Sequence, residues 1–343
     1  RWVRPGPLAQ ALLTDLLAKC DREEPFTLAE LTAFLAVPAD RVPEFFAVTN
    51  RLRRRYCPCV ICCSIVNAKS GDCTEDCAFC ASSARHRTGG PRFPLRPVEE
   101  LVRAAREARD QGAGEFSIVT SGKRPTPEEF EALLLAVARI RAEVGLPLCA
   151  SLGLLPIGDL HRLKEAGLSF YHHNLETAAS HFPRIVTTHG YEEEVAAVRA
   201  AREAGLRVCA GGIFGMGETW EQRLELALAL RDLEVSHVPL NFLNPVPGTP
   251  LERTPRLSPL EALKVIALFR LVLPRGPLTV CGGREAVLGE LQSLIFCAGA
   301  SGLMLGNYLT TLGRSREIDF ALIRDLGLEI AGGGPSPGAG NLG

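Results

Sequence analysis

Cys73, Cys77 and Cys80 stand in the run Gly71-Asp72-Cys73-Thr74-Glu75-Asp76-Cys77-Ala78-Phe79-Cys80, a C-x3-C-x2-C spacing. Three cysteines within eight residues are too dense for ordinary core filling. Three thiolates can hold three irons of a four-iron cluster and leave the fourth iron open to another ligand. A closed zinc site wants a fourth protein ligand, which His86 could in principle supply. The spacing favours iron–sulfur over zinc, because three ligands leave the open position that such a cluster uses and a structural zinc does not.

The elements that must position these thiols follow from periodicity. Short apolar or β-branched runs fall at Cys62–Asn67, Glu115–Thr120, Leu148–Leu152, Ser169–Asn174, Leu206–Gly212, His237–Asn241, Leu278–Cys281 and Gly302–Leu305. Amphipathic helices fit between them, at Pro97–Asp110, Pro127–Val144, Ile157–Glu165, Tyr191–Glu203, Glu218–Asp232, Pro259–Leu271 and Glu285–Cys297. Eight strands alternating with helices predict an α/β fold with a parallel sheet closed as a (β/α)8 TIM-type barrel over residues 57–328. A doubly wound open sheet is the competing arrangement. Residues 1–56 predict an N-terminal helical extension, with Leu8–Leu17 apolar at helical spacing and a capping box at Thr27-Leu28-Ala29-Glu30. Residues 329–343, rich in Gly and Pro, predict a flexible tail. The Cys73–Cys80 loop then follows the first strand at its C-terminal end, the face on which barrel active sites are built.

Four isolated cysteines extend this picture. Cys63, Cys149, Cys209 and Cys281 fall on the first, third, fifth and seventh predicted strands. Interior layers of an eight-stranded barrel take one side chain from each alternate strand, so these four can form a ring of thiols in the lumen. Such a ring is a ligand set for a second, buried iron–sulfur cluster. The plainer alternative is four unrelated small apolar side chains, which buried cysteines usually are. Cys20, Cys57, Cys59 and Cys297 carry no assigned role.

Composition bounds the rest. Twelve cysteines in 343 residues, seven of them between Cys57 and Cys80, point to a reducing compartment and metal-binding thiolates rather than a disulfide scaffold. The expected location is cytoplasmic. With 38 Lys+Arg against 39 Asp+Glu the chain has no basic field for nucleic acid. Charged residues break every apolar stretch before it reaches the ~20 residues of a membrane helix. The opening Arg1-Trp2-Val3-Arg4-Pro5 has no initiator Met and no signal-peptide core.

The cysteine motif with its inserted Phe79, placed after the first strand of a βα barrel, resembles the radical S-adenosylmethionine (SAM) superfamily. The flanking residues resemble the biotin synthase family more closely. They include Asn67-Ala-Lys-Ser-Gly71, Ala81 through Gly89, and Tyr171-His-His-Asn-Leu-Glu-Thr177. Cys209-Ala-Gly-Gly-Ile213 through Glu218, Asn241 with Pro247-Gly-Thr-Pro250, Gly283-Arg-Glu285, Ala298-Gly-Ala300 and Gly306 through Thr311 continue the match over roughly residues 57–328. The resemblance implies that Cys73, Cys77 and Cys80 hold a 4Fe-4S cluster whose open iron is chelated by SAM, and that an external one-electron reductant drives release of a 5′-deoxyadenosyl radical. It implies cofactor contacts at Phe79, Asn174, Glu176 and Ile213, and a dethiobiotin substrate beside Asn174 and Asn241. It also implies an auxiliary cluster as sulfur donor, held here by Cys63, Cys149, Cys209 and Cys281, and a homodimer.

This sequence departs from the family at three places. Ser117 stands where one auxiliary cysteine is expected, and Thr279 where an unusual arginine ligand is expected. Cys63 and Cys281 can replace the two, although Cys62 competes with Cys63. Four thiolates suit a four-iron cluster, here favoured, and equally a 2Fe-2S cluster. Glu194 stands where an arginine for the SAM carboxylate is expected, leaving Arg199 or Arg202 to reach instead. Another radical enzyme, such as a mutase or a cofactor maturase, is the first rival reading. A non-catalytic iron–sulfur carrier or a zinc protein is the second.

Overall fold

The computed structural model describes residues 7–306 and 313–332. Its strands are β1 (Ile61–Lys69), β2 (Glu115–Thr120), β3 (Leu148–Ser151), β4 (Phe170–His172), β5 (Arg207–Cys209), β6 (Gly212–Phe214), β7 (Val238–Phe242), β8 (Leu278–Val280) and β9 (Gly302–Met304). They pair in one sheet in the order β5-β4-β3-β2-β1-β9-β8-β7-β6, and every strand pair is parallel. The two ends of that order are neighbours in the chain, separated only by Ala210 and Gly211. Parallel bridges Glu176↔Gly212 and Cys209↔His237 stitch them across the gap. β5 and β6 are therefore one interrupted strand, and the sheet closes into an eight-stranded barrel rather than the open doubly wound sheet.

The interruption of the expected 206–212 strand has a local cause. A Cβ on Gly211 would lie 1.9 Å from the Pro239 carbonyl oxygen, so only glycine lets the backbone run this close to β7. The freed Gly211 N–H donates to Asn174 Oδ1 at 3.0 Å.

Helices α1 (Pro7–Arg22), α2 (Leu28–Leu35) and α3 (Phe46–Tyr56) precede the barrel. Around it run α4 (Val98–Asp110), α5 (Pro127–Glu143), α6 (Ile157–Glu165), α7 (Tyr191–Glu203), α8 (Trp220–Asp232) and α9 (Pro259–Val272). The last are α10 (Arg284–Leu288), α11 (Leu294–Ala298) and α12 (Arg316–Asp325). Reciprocal capping boxes at Thr27/Glu30, Thr126/Glu129, Thr219/Gln222 and Ser258/Glu261 fix four of the starts. The single helix predicted over 285–297 is instead α10, a 3-10 turn over Gly289–Ser293, and α11. Gly289 at φ +49° breaks the helical path.

The N-terminal helices cover α9 and α11, which explains why α9 is buried almost all round. Lys264 of α9 crosses this seam, donating to the carbonyls of Leu35 at 2.7 Å and Val37 at 2.6 Å. Val60 pairs with Ile330, so β pairing continues into the segment expected to begin a flexible tail. The Thr310-Thr311 motif and residues 333–343 lie outside the described residues.

Candidate active site

The loop after β1 is folded tightly on itself. Cys73 N–H donates to the Ser82 carbonyl at 3.0 Å and Ala84 N–H to the Cys73 carbonyl at 2.7 Å. Ser83 Oγ donates to the Glu75 carbonyl at 2.5 Å. These bonds bend the segment back on itself, and all three of its cysteines line one cavity. Burial pushes the Cys77 thiol up, reinforced by Cys80, Glu176 and Cys73. Burial also raises Cys80, opposed by the backbone N–H groups of Ser82 and Ser83. Among the described residues no three metal-binding side chains converge tightly enough for a single ion. His86, the candidate fourth zinc ligand, instead has Nδ1 3.0 Å from the Cys80 carbonyl.

A cavity of about 220 Å³ opens beside these thiols, lined by Phe79, Asn174 and Glu176 among others. Asn174 Oδ1 faces His172 Nε2 at 2.9 Å, and its Nδ2 donates to Glu176 Oε2 at 3.4 Å. Glu176 adopts φ +60°, a left-handed conformation that a non-glycine residue holds only when its surroundings enforce it. Burial, reinforced by Glu194, lifts its carboxyl to about 8. Ile213 sits in register with Asn241. Asn241 accepts from Gly282 N–H at 3.0 Å and donates to the Gly212 carbonyl at 3.3 Å, so it clasps three strand ends as well as lining a cavity.

Neither expected arginine reaches this cavity. Arg199 is exposed, and Arg202 binds the Leu233 carbonyl and Glu234. In their place runs a chain of alternating acids and imidazoles. Glu75 Oε2 meets His189 Nδ1 at 2.5 Å, His189 Nε2 meets Glu194 Oε1 at 2.6 Å, and Glu194 Oε2 meets His173 Nε2. Burial works to raise Glu194, but His173 and His189 overcome it and hold the carboxyl at about 2. Hydrogen bonding to Glu194 raises His189 in turn. Sequence reasoning missed Glu75 and His189 as partners, because they are 114 positions apart and no local pattern joins them.

A second cavity of about 340 Å³ fills the lumen, and Cys63, Cys149, Cys209 and Cys281 all line it. Burial pushes all four thiols up, Cys149 and Cys281 to about 12. Cys209 is raised further by Cys149 and Cys281, and Cys63 by Glu115, Cys281 and Cys209, so the four stand close together. Cys62 points the other way, into the shell where Asp319 and Arg284 affect it. Ser117 and Thr279 also line the lumen, and their hydroxyls are buried without a hydrogen-bond partner. Ser117 stands beside the Cys149 sulfur without closing a proper bond to it. Four cysteines lining one cavity beside two hydroxyls that no protein group satisfies fit the donor set of a metal cluster.

The cofactor-side residues 69–230 match the Radical SAM superfamily, and residues 239–329 match the Biotin and Thiamin Synthesis associated domain. A biotin synthase of Geobacter sulfurreducens is 52% identical over 331 residues, covering 95% of this chain and 97% of that protein. One from Nitratidesulfovibrio vulgaris is 50% identical over 307 residues, covering 89% of this chain and 85% of its own length.

The chain belongs to the biotin synthase family.

It is a radical SAM enzyme, and a 4Fe-4S cluster with SAM is implied by that membership. Among solved structures, methylornithine synthase superposes with a TM-score of 0.80 at 20% identity, covering 92% of this chain and 97% of its own. The FeFe-hydrogenase maturase of Carboxydothermus hydrogenoformans gives 0.78 at 19% identity, covering 93% and 79%. At those identities the likeness is one of fold. No helix among the described residues is long and apolar enough to cross a membrane.

Proposed function

We propose that this enzyme inserts sulfur into dethiobiotin to give biotin, with Cys73, Cys77 and Cys80 holding the radical-generating cluster and Cys63, Cys149, Cys209 and Cys281 holding a variant auxiliary cluster of four-iron type. When bound, the first cluster and SAM supply a 5′-deoxyadenosyl radical able to take hydrogen from an unactivated carbon. The single observation that carries this reading is the shared wall between the two cavities. Phe79, Cys80, Asn174 and Glu176 line both, so a substrate lying against them touches the radical source on one side and the thiol ring on the other.

The chain's own residues then have defined work. Asn174 and Glu176, fixed by their mutual bond and by Gly211, present a paired amide and carboxyl to a ribose. Ile213 and Phe79 supply apolar faces for adenine and substrate. Asn241 offers the remaining valences of its amide to a ureido ring. His173, Glu194 and His189 replace the expected arginine at the methionine end. Electrons come from an external one-electron reductant, and the working assembly is a homodimer, which sedimentation would verify. The domain division is a helical cover over residues 1–56 and a catalytic barrel from 57.

Anaerobic reconstitution with iron and sulfide counts tests the two-centre reading directly. Eight irons per chain, together with biotin formed from dethiobiotin and SAM, is the expected result. Four irons in the parent chain, unchanged in Cys281→Ala, would remove the auxiliary centre. A mutase or maturase activity, which the fold alone would accommodate, is separated by product analysis: such an enzyme yields no biotin.

A further inference from the structure

A ligand that chelates the open iron and also meets Asn174 and Glu176 has to span two strand ends that the sheet does not join. The three cysteines follow β1, and the amide–carboxyl pair follows β4. β1 pairs with β2 and β9, and β4 with β3 and β5, so sheet register leaves the spacing of these two ends to their loops. Asp76, inside the C-x3-C spacer, ties the ends together directly. Its Oδ1 accepts from the Thr187 N–H at 2.9 Å, the Thr188 N–H at 3.2 Å and the Thr188 hydroxyl at 3.1 Å, and its Oδ2 accepts from the Thr187 hydroxyl. The Asp76 N–H donates back to Thr188 Oγ1 at 3.3 Å. A carboxylate has about four acceptor sites, and protein donors meet this one from one short segment between β4 and α7. Beside this polar seam the Ala78 N–H donates to the Ile185 carbonyl at 2.9 Å, and Cys77 and Phe79 pack on an apolar cluster that includes Phe182, Ile185 and Val186.

We propose that Asp76 is a positioning residue: its carboxylate locks the three-cysteine loop to Thr187 and Thr188, and so fixes the spacing between the open iron and the Asn174–Glu176 pair. The proposal rests on the reading of that cavity given above, with SAM as its ligand. Thr188 leads through His189 into α7, whose Glu194 meets both His189 and His173, the neighbour of Asn174. The clamp therefore joins the loop and the pair into one body before a ligand arrives, which removes an ordering cost from binding. Asp76 lies outside the cysteine set, so its loss leaves the thiols in the chain and loosens only where they stand.

The test is equilibrium binding of SAM to the anaerobically reconstituted full-length enzyme, with EPR spectra of the reduced cluster recorded before and after SAM is added. Asp76→Ala should keep the EPR signal of the three-cysteine cluster yet bind SAM about tenfold more weakly or worse, the worth of a hydrogen bond to a charged acceptor. Its response to SAM should shrink, and deoxyadenosine formation at saturating SAM should fall on the order of 10²-fold. Asp76→Asn keeps an oxygen for the two N–H donors and can donate to the Thr187 hydroxyl, so its affinity should return to within about threefold of the parent. Adding Thr187→Val to Asp76→Ala should weaken binding no further, because both remove the same contact. Parent affinity and an unchanged EPR response in Asp76→Ala overturn the proposal. A loss in Asp76→Asn as deep as in Asp76→Ala also overturns it, since the effect would then belong to charge. So does an Asp76→Ala chain without the three-cysteine cluster, whose aspartate would serve loop folding instead of spacing. A parent cluster that gives no response to SAM overturns the cavity reading and this proposal with it.

Discussion

Glu194 shows how one residue can reverse the charge of a subsite and still leave it ordered. Where a cation was expected there is a carboxylate flanked by His173 and His189. The pH dependence follows from the two shifts. Glu194 is held at about 2, so the unfolded chain binds its proton more readily; its contribution is full above about pH 4.5 and is lost as pH falls toward 2. His189 is raised above its usual 6.5, so its contribution is full below that value and is lost as pH rises through the folded one. The stability difference between the parent and Glu194→Gln should therefore peak between about pH 4.5 and 6.5 and amount to about 2–3 kcal/mol, as read by urea unfolding across pH. A difference that keeps growing above neutrality would exclude the acid–imidazole chain as its source. The roles proposed for the cysteines make separate predictions at this scale. Cys77→Ala should abolish deoxyadenosine formation, whereas Cys209→Ala should permit some SAM cleavage with little biotin. Normal biotin yield from the second variant would refute the sulfur-donor role. Both cysteine groups were legible in the sequence, because thiol spacing and strand alternation are local patterns. Glu115 and His237, brought within 3.7 Å by barrel closure, were not.

Elements position these residues through a few close approaches. At the junction of β5 and β6 the backbone lies so near β7 that a methyl group on Gly211 has no space. Gly211→Ala should cost about 1–3 kcal/mol from overpacking, and it should also lower auxiliary iron loading, since Cys209 and Asn174 both hang from this junction. Denaturant midpoint and iron count measure the two effects. Lys264 performs a different job, holding two otherwise unpaired carbonyls at the end of α2. Lys264→Ala should lose about 2–4 kcal/mol by leaving both buried, with a changed Trp220 emission because the ammonium lies 4.1 Å from that ring. Strand and helix positions were largely readable from period-2 and period-3.6 patterns. The broken helix over 284–298 was not, since its break depends on Gly289 taking a positive φ, which no periodicity of the neighbouring residues announces.

At the scale of the molecule, closure is what sets the two groups of cysteines on either side of one shared wall. The loop at the mouth and the ring in the lumen share Phe79, Cys80, Asn174 and Glu176 only because eight strands return on themselves. The N-terminal helices act from outside, burying Leu31, Phe34, Val42, Phe45, Val48 and Leu52 against the shell. At roughly 1.5–3 kcal/mol per buried side chain, that cover is worth on the order of 10 kcal/mol. A chain starting at residue 57 should therefore be recovered largely as aggregate. A soluble, reconstitutable truncation would show that the barrel is stable without its cover.

The sequence by itself determined the barrel, the three-thiol loop and the odd-strand cysteines, because hydrophobic period and ligand spacing are written in neighbouring residues. Only the tertiary structure decided that Cys63 rather than Cys62 faces inward, that Arg199 and Arg202 turn away, and that Glu75 meets His189 while Glu115 meets His237. Those choices depend on which faces the closed sheet turns together, and that is a property of distance in space that order along the chain does not carry.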